Sequence, residues 1–124
     1  MGKVQIENSD IVTFHNYDSP GEFSARIAAL RVYGRPLICT EYMARPRGST
    51  FEAILPIAKR ERVGAINWGF VQGKSQTNLP WDSWQHPYVG RPPAVWFHDI
   101  FRVDGQPYKK EETEFIRKIT AKAI

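Results

Sequence analysis

The sequence predicts an α/β fold built on parallel strands, and two observations carry that reading. Short, almost wholly apolar strand-like runs alternate with amphipathic helical stretches, the pattern of a parallel sheet buried on both faces. Each run then ends in a polar or aromatic cluster, "FHNY", "TEY" and "NWGF" in turn, and in α/β proteins the carboxyl edge of the sheet is where ligands bind. With 124 residues, 42% of them hydrophobic, the chain suits one domain with its own core.

The first run, Ile11 to Phe14 ("IVTF"), is β-branched and aromatic and gives way to polar "HNY", as a buried strand does where it enters a loop. In "SPGE", Ser19 is placed to cap, Pro20 takes the first helical position and Glu22 follows the cap by three residues, so a helix starts here. Its apolar stripe is Phe23, Ile27 and Leu30, and Gly34 suits a left-handed end. The second strand is Leu37 to Thr40. Ser49 with Glu52 repeats the capping signal before the apolar face of Phe51, Ile54, Leu55 and Ala58. Pro56 lies past the first turn of that helix, which predicts a kink or a late start. Ala65 to Phe70 ("AINWGF") is the third strand, and Glu111 to Ala121 is a closing amphipathic helix that packs through Phe115, Ile116 and Ile119. The order is βαβαβ, a long loop, then α.

Composition narrows the function classes. Lys and Arg number 17 against 13 Asp and Glu, a formal +4, but the basic residues fall in short runs broken by acids or proline rather than in a phosphate-tracking stripe, so nucleic acid is not the expected partner. No run approaches the ~20 apolar residues of a membrane span, and the amino terminus has no apolar signal core. A chain beginning partway through a secreted or periplasmic parent would also lack a leader, so the compartment stays open. Cys39 is the sole cysteine and sits inside an apolar run, a small core residue. His15, His86 and His98 are far apart and share no zinc spacing with Cys39, so neither a metal nor a cofactor is expected. His98 and Asp99 are adjacent, and a structural or capping role suits them.

Glu41 closes the second apolar run. Two readings are open on the residues alone: a carboxylate fixed by a rigid strand end for chemistry, or a surface acid paired with Arg45 or Arg47. Trp68 is either core packing or a flat apolar floor for a ligand. The loop Gln72 to Pro93 holds Trp81, Asp82, Trp84, His86 and Tyr88. Its length points to function and its aromatic content argues against disorder, leaving Trp81 and Trp84 as a sugar platform or as a packed lid.

"FHNY" after one strand, "ICTEY" on the next and "INWGF" on the third, in that order, resemble the last three βα units of clan A glycoside hydrolases, retaining (β/α)8-barrel enzymes that include cellulases, xylanases, mannanases and β-glycosidases. The likeness runs from about Asp10 to Thr120 and takes in "WFHDIFRVDGQPY". It implies a partial barrel of three βα units, one carboxyl-terminal catalytic fragment over 1–124. It further implies that Glu41 is the nucleophile, that Tyr17 donates to it, that His15 lines the same subsite and that Trp68 floors it. The implied substrate is a β-linked oligo- or polysaccharide. The alternative is a non-catalytic carbohydrate-binding or interaction module.

A retaining glycosidase needs a second carboxyl group about 5–5.5 Å from the first. The family places it after an asparagine on the fourth strand, and this sequence has no Asn-Glu pair. A full barrel takes eight strands. The chain alone is therefore expected not to turn over. An inner sheet face of a few hundred Å² left to water costs several kcal/mol at ~25 cal/mol per Å², which predicts that the rest of a barrel or a second copy covers it.

Overall fold

The computed structural model describes residues 3–121. It is an α/β fold with a three-stranded, all-parallel, open sheet in the order β1 (Val12–His15), β2 (Leu37–Tyr42), β3 (Gly64–Asn67). Helices α2 (Pro20–Arg31) and α3 (Phe51–Glu61) make the two crossovers, and α4 (Lys110–Thr120) packs against α3. This is the form taken by three consecutive βα units of a barrel. A short α1 (Lys3–Glu7), which the sequence did not predict, adds Ile6 to the core. Among the described residues, no helix is long and apolar enough to cross a membrane.

The helices follow their local signals closely. Ser19 Oγ accepts the Glu22 N–H at 3.3 Å, and Phe23, Ile27 and Leu30 are the buried stripe of α2; Gly34 takes φ +64 just beyond its end, where a side chain would be strained. For α3 the cap is Thr50, whose Oγ1 accepts from Ala53 N–H at 3.3 Å. Ser49 is displaced from that role because its backbone pairs with Ala44, burying it one residue too early. Pro56 neither delays α3 nor breaks it. Its ring lies on the exposed side, where water can serve the carbonyl that a proline leaves without a donor.

Burial alternates across the sheet. Val12, Phe14, Leu37 and Cys39 are buried under α2 and α3, together with Phe23, Phe51 and Ile54. The opposite positions, Thr13, Ile38, Thr40 and Ile66, are exposed or half-exposed. No helix covers that second face among the described residues, so the expectation of strands buried on both sides holds for one side only. β-branched side chains are what a closed barrel packs into its interior layers.

The third strand is shorter than the Ala65 to Phe70 expected. Asn67 ends it by turning its side-chain amide onto the carbonyls of Gly69 and His98, which draws the chain out of the ladder. From Trp68 to Lys109 the chain is irregular apart from a 3-10 turn at Trp81–Trp84 and isolated bridges joining Val71 and Pro107 to Phe101.

Candidate active site

Residues on the middle strand do not alternate strictly. Phe14 pairs with Cys39, but the next residue, His15, pairs with Glu41, so β2 carries one extra residue here. Such bulges re-aim side chains. Cys39 is fully buried and Tyr42 packs edge-on against Phe51 of α3 at 6.1 Å, so two core-facing residues stand three apart rather than two. The extra residue swings Glu41 to the side of His15, away from the helices. Glu41 thus lies inside β2, at its next-to-last position, and not beyond the strand end at Thr40.

Three of the sequence-predicted groups meet there. Tyr17 Oη donates to Glu41 Oε2 at 2.9 Å, and His15 Nδ1 lies 3.2 Å from the same oxygen. The Glu41 side chain is 21% exposed. The turn that delivers Tyr17 is fixed at both ends: Asn16 N–H donates to the Glu41 carbonyl at 2.9 Å, and Asn16 Oδ1 accepts from Asp18 N–H at 3.2 Å. Partial burial, followed by the bond to Glu41, raises the Tyr17 pKa above the ordinary phenol value, so Tyr17 remains a donor throughout the neutral range. The Cys39 thiol donates to the Glu41 carbonyl at 3.2 Å, and burial pushes its pKa up to about 11, which leaves it protonated and unreactive.

Glu41 pairs with neither Arg45 nor Arg47. Arg45 turns inward to Glu112, and Arg47 pairs with Asp18 at 3.1 Å while its guanidinium stacks 5.6 Å above Trp81. His15, Asn16, Tyr17, Asp18, Arg47 and Trp81 together line a depression of about 380 Å³ beside Glu41. Trp81 stands edge-on to Tyr17 at 5.1 Å, and its indole N–H donates to His98 Nε2 at 3.0 Å. It remains 45% exposed: a flat apolar surface, fixed in orientation, next to a carboxylate.

Trp68 and Trp84 are not brought to this depression. Trp68 is 55% exposed just beyond β3, which excludes core packing. Trp84, although on the same 3-10 turn as Trp81, lines a different cavity. No group of three or more His, Cys, Asp or Glu able to hold a metal occurs among the described residues.

Sequence reasoning assigned His98 a structural role without seeing what it supports. Buried to 2% exposure, it bonds Met43 O through Nδ1 at 2.7 Å and accepts from Trp81 at Nε2. A carbonyl on one side and a donor on the other require the neutral, Nδ1-protonated tautomer. Burial lowers its pKa below the ordinary histidine value. The unfolded chain then binds the extra proton first, so stability is full above about pH 6.5 and declines as pH falls from there toward the lowered native value. Thermal melting between pH 7.5 and pH 5 is expected to show this decline, with a change in tryptophan fluorescence as Trp81 loses its acceptor, and His98→Gln is expected to flatten both. An unaltered pH profile in the variant would show that His98 does not carry the effect.

No family model, curated protein or solved structure matches the chain.

Proposed function

We propose that the chain is the nucleophile-bearing, carboxyl-terminal portion of a retaining β-glycosidase barrel acting on β-linked oligo- or polysaccharide. The observation that carries this reading is Glu41 at the carboxyl end of the middle parallel strand, held by Tyr17 and His15 beside a depression with Trp81 on its wall. A glycosyl transfer nucleophile must be ionised and immobile. The Tyr17 hydroxyl donates to Glu41 Oε2 and His15 Nδ1 lies 3.2 Å from the same oxygen, so the carboxylate is held in one orientation. The uncovered face with Thr13, Ile38 and Ile66 adds support, since the remaining strands of a barrel would bury it.

In the completed barrel Glu41 attacks the anomeric carbon as the bond to the leaving oxygen breaks, and that oxygen takes a proton from a carboxylic acid on another strand. Water, deprotonated by the same group, then displaces Glu41 with a second inversion. Within this chain, Tyr17 and His15 orient the nucleophile and Trp81 offers its face to the sugar's C–H surface.

The test is covalent labelling. In a barrel completed by its amino-terminal strands, a 2-deoxy-2-fluoro-β-glycosyl fluoride is expected to add one fluoroglycosyl group, mapped by peptide mass spectrometry to Glu41, and Glu41→Gln abolishes it. The isolated chain should not hydrolyse aryl β-glycosides; hydrolysis that Glu41→Gln removes would contradict the absence of an acid. Saturable oligosaccharide binding with no adduct in the completed barrel would instead establish a carbohydrate-binding module.

A further inference from the structure

A second depression, about 510 Å³ in volume, lies along the segment from Gln72 to Val89 and shares no lining residue with the one beside Glu41. Its size falls in the range of about 300–1,000 Å³ typical of small-molecule pockets. Trp84 is on its wall and 91% exposed, so its large apolar face is left almost entirely open among the described residues. Around it stand the amides of Gln72 and Gln76 and the hydroxyls of Ser75 and Tyr88. No lining residue is an acid, a lysine, an arginine or a histidine. The Tyr88 hydroxyl donates to Asp82 at 3.0 Å, which holds the ring in place.

That combination selects a ligand class. An aromatic face accepts an apolar surface, while amides and hydroxyls need partners that both donate and accept. A charged ligand would find no counter-ion, and a purely apolar one would strand the amides without hydrogen bonds. A neutral sugar presents a C–H face and a rim of hydroxyls, matching both requirements. We propose that this depression is a second carbohydrate-binding site, which takes a neutral oligosaccharide with one ring stacked on Trp84 and its hydroxyls directed to Gln72, Ser75 and Gln76. The site stands on its own chemistry and does not require Glu41 to be a nucleophile.

The test is a titration of the 124-residue chain with cellohexaose, xylohexaose and mannohexaose, and with a galacturonic acid oligomer as the charged comparison, followed by indole N–H shifts in NMR. At least one neutral sugar is expected to bind saturably and shift the Trp84 resonance. Trp84→Ala should weaken that binding by about tenfold or more, the loss common for a tryptophan at the centre of a contact. The variant's melting temperature should not change, because the side chain is exposed. Val103→Ala, at an exposed position that lines neither depression, should bind as the parent does. The site is overturned if no neutral sugar saturates, if the acidic oligomer binds equally well, or if binding survives Trp84→Ala. Binding that survives Trp84→Ala but is lost in Glu41→Gln would place the sugar in the first depression, sparing the proposed function and removing this site.

Discussion

Arg45→Met is expected to cost about 3–5 kcal/mol of unfolding free energy, the penalty for leaving one member of a buried ion pair alone. The Arg45 and Glu112 side chains are 3% and 5% exposed. Nε and one terminal nitrogen of Arg45 reach the two Glu112 oxygens at 2.7 Å each, and the guanidinium also donates to Trp96 O at 3.0 Å and Asp99 O at 2.9 Å. The Tyr108 ring lies 4.8 Å beneath it. Lys109, 3.9 Å from Glu112, softens the loss by offering the stranded carboxylate another cation. Arg45→Met/Glu112→Leu should recover part of the stability, since a dry apolar pair removes both desolvation penalties, but not all of it, because two buried carbonyls keep no donor. Urea denaturation reads the effect as a lower midpoint at unchanged slope. A single variant within about 0.5 kcal/mol of the parent would show the pair to be open to water.

Gly69→Ala is expected to cost about 3 kcal/mol or more. A Cβ there would overlap Asp99 Oδ1, with Thr77 Oγ1 at 2.9 Å and His98 Cβ at 3.1 Å behind it. Asp99 is fully buried and accepts from Thr77 at 2.6 Å, so its oxygen cannot swing clear without giving up that bond. Overpacking alone costs about 1–3 kcal/mol, and a broken buried hydrogen bond adds about 1–3 kcal/mol. Because His98 forms part of the same wall, the strain passes to Trp81. The measurement is again the urea midpoint, joined to the Trp81 indole shift; a parent-like value for both would mean that the Asp99 backbone yields freely.

Much of this was legible in the chain because the signals were local. Ser19, Pro20 and Glu22 mark the start of α2 within a few residues of one another, and the apolar stripes of α2 and α3 repeat at helical spacing. The pairing of Tyr17 with Glu41 came from a family likeness that no comparison supports, and its geometry is visible here independently of that likeness. What could not be read depended on distant partners. The bulge that turns Glu41 to face His15 is a register property of two strands. Arg45 as a partner of Glu112 rather than Glu41 is decided by where α4 docks. Ser49 and Thr50 are equally good caps, and only the bridge from Ser49 to Ala44 chooses between them. Gly69 did carry a signal, since a glycine within a strand-like run often marks a close backbone approach, but nothing in the sequence said that Asp99 would supply the crowding.

The inward turn of Arg45 also sets an order of events during folding. Its bonds span 51, 54 and 67 residues, whereas Tyr17 and Glu41 are 24 apart. Long-range closures come late. On the ribosome the carboxylate and its phenol can meet as soon as the second strand emerges, while Arg45 has no carboxylate to pair with until Glu112 has been translated. A nascent chain halted before Glu112 would therefore hold Glu41 against Tyr17 but leave the buried guanidinium of Arg45 without its counter-charge.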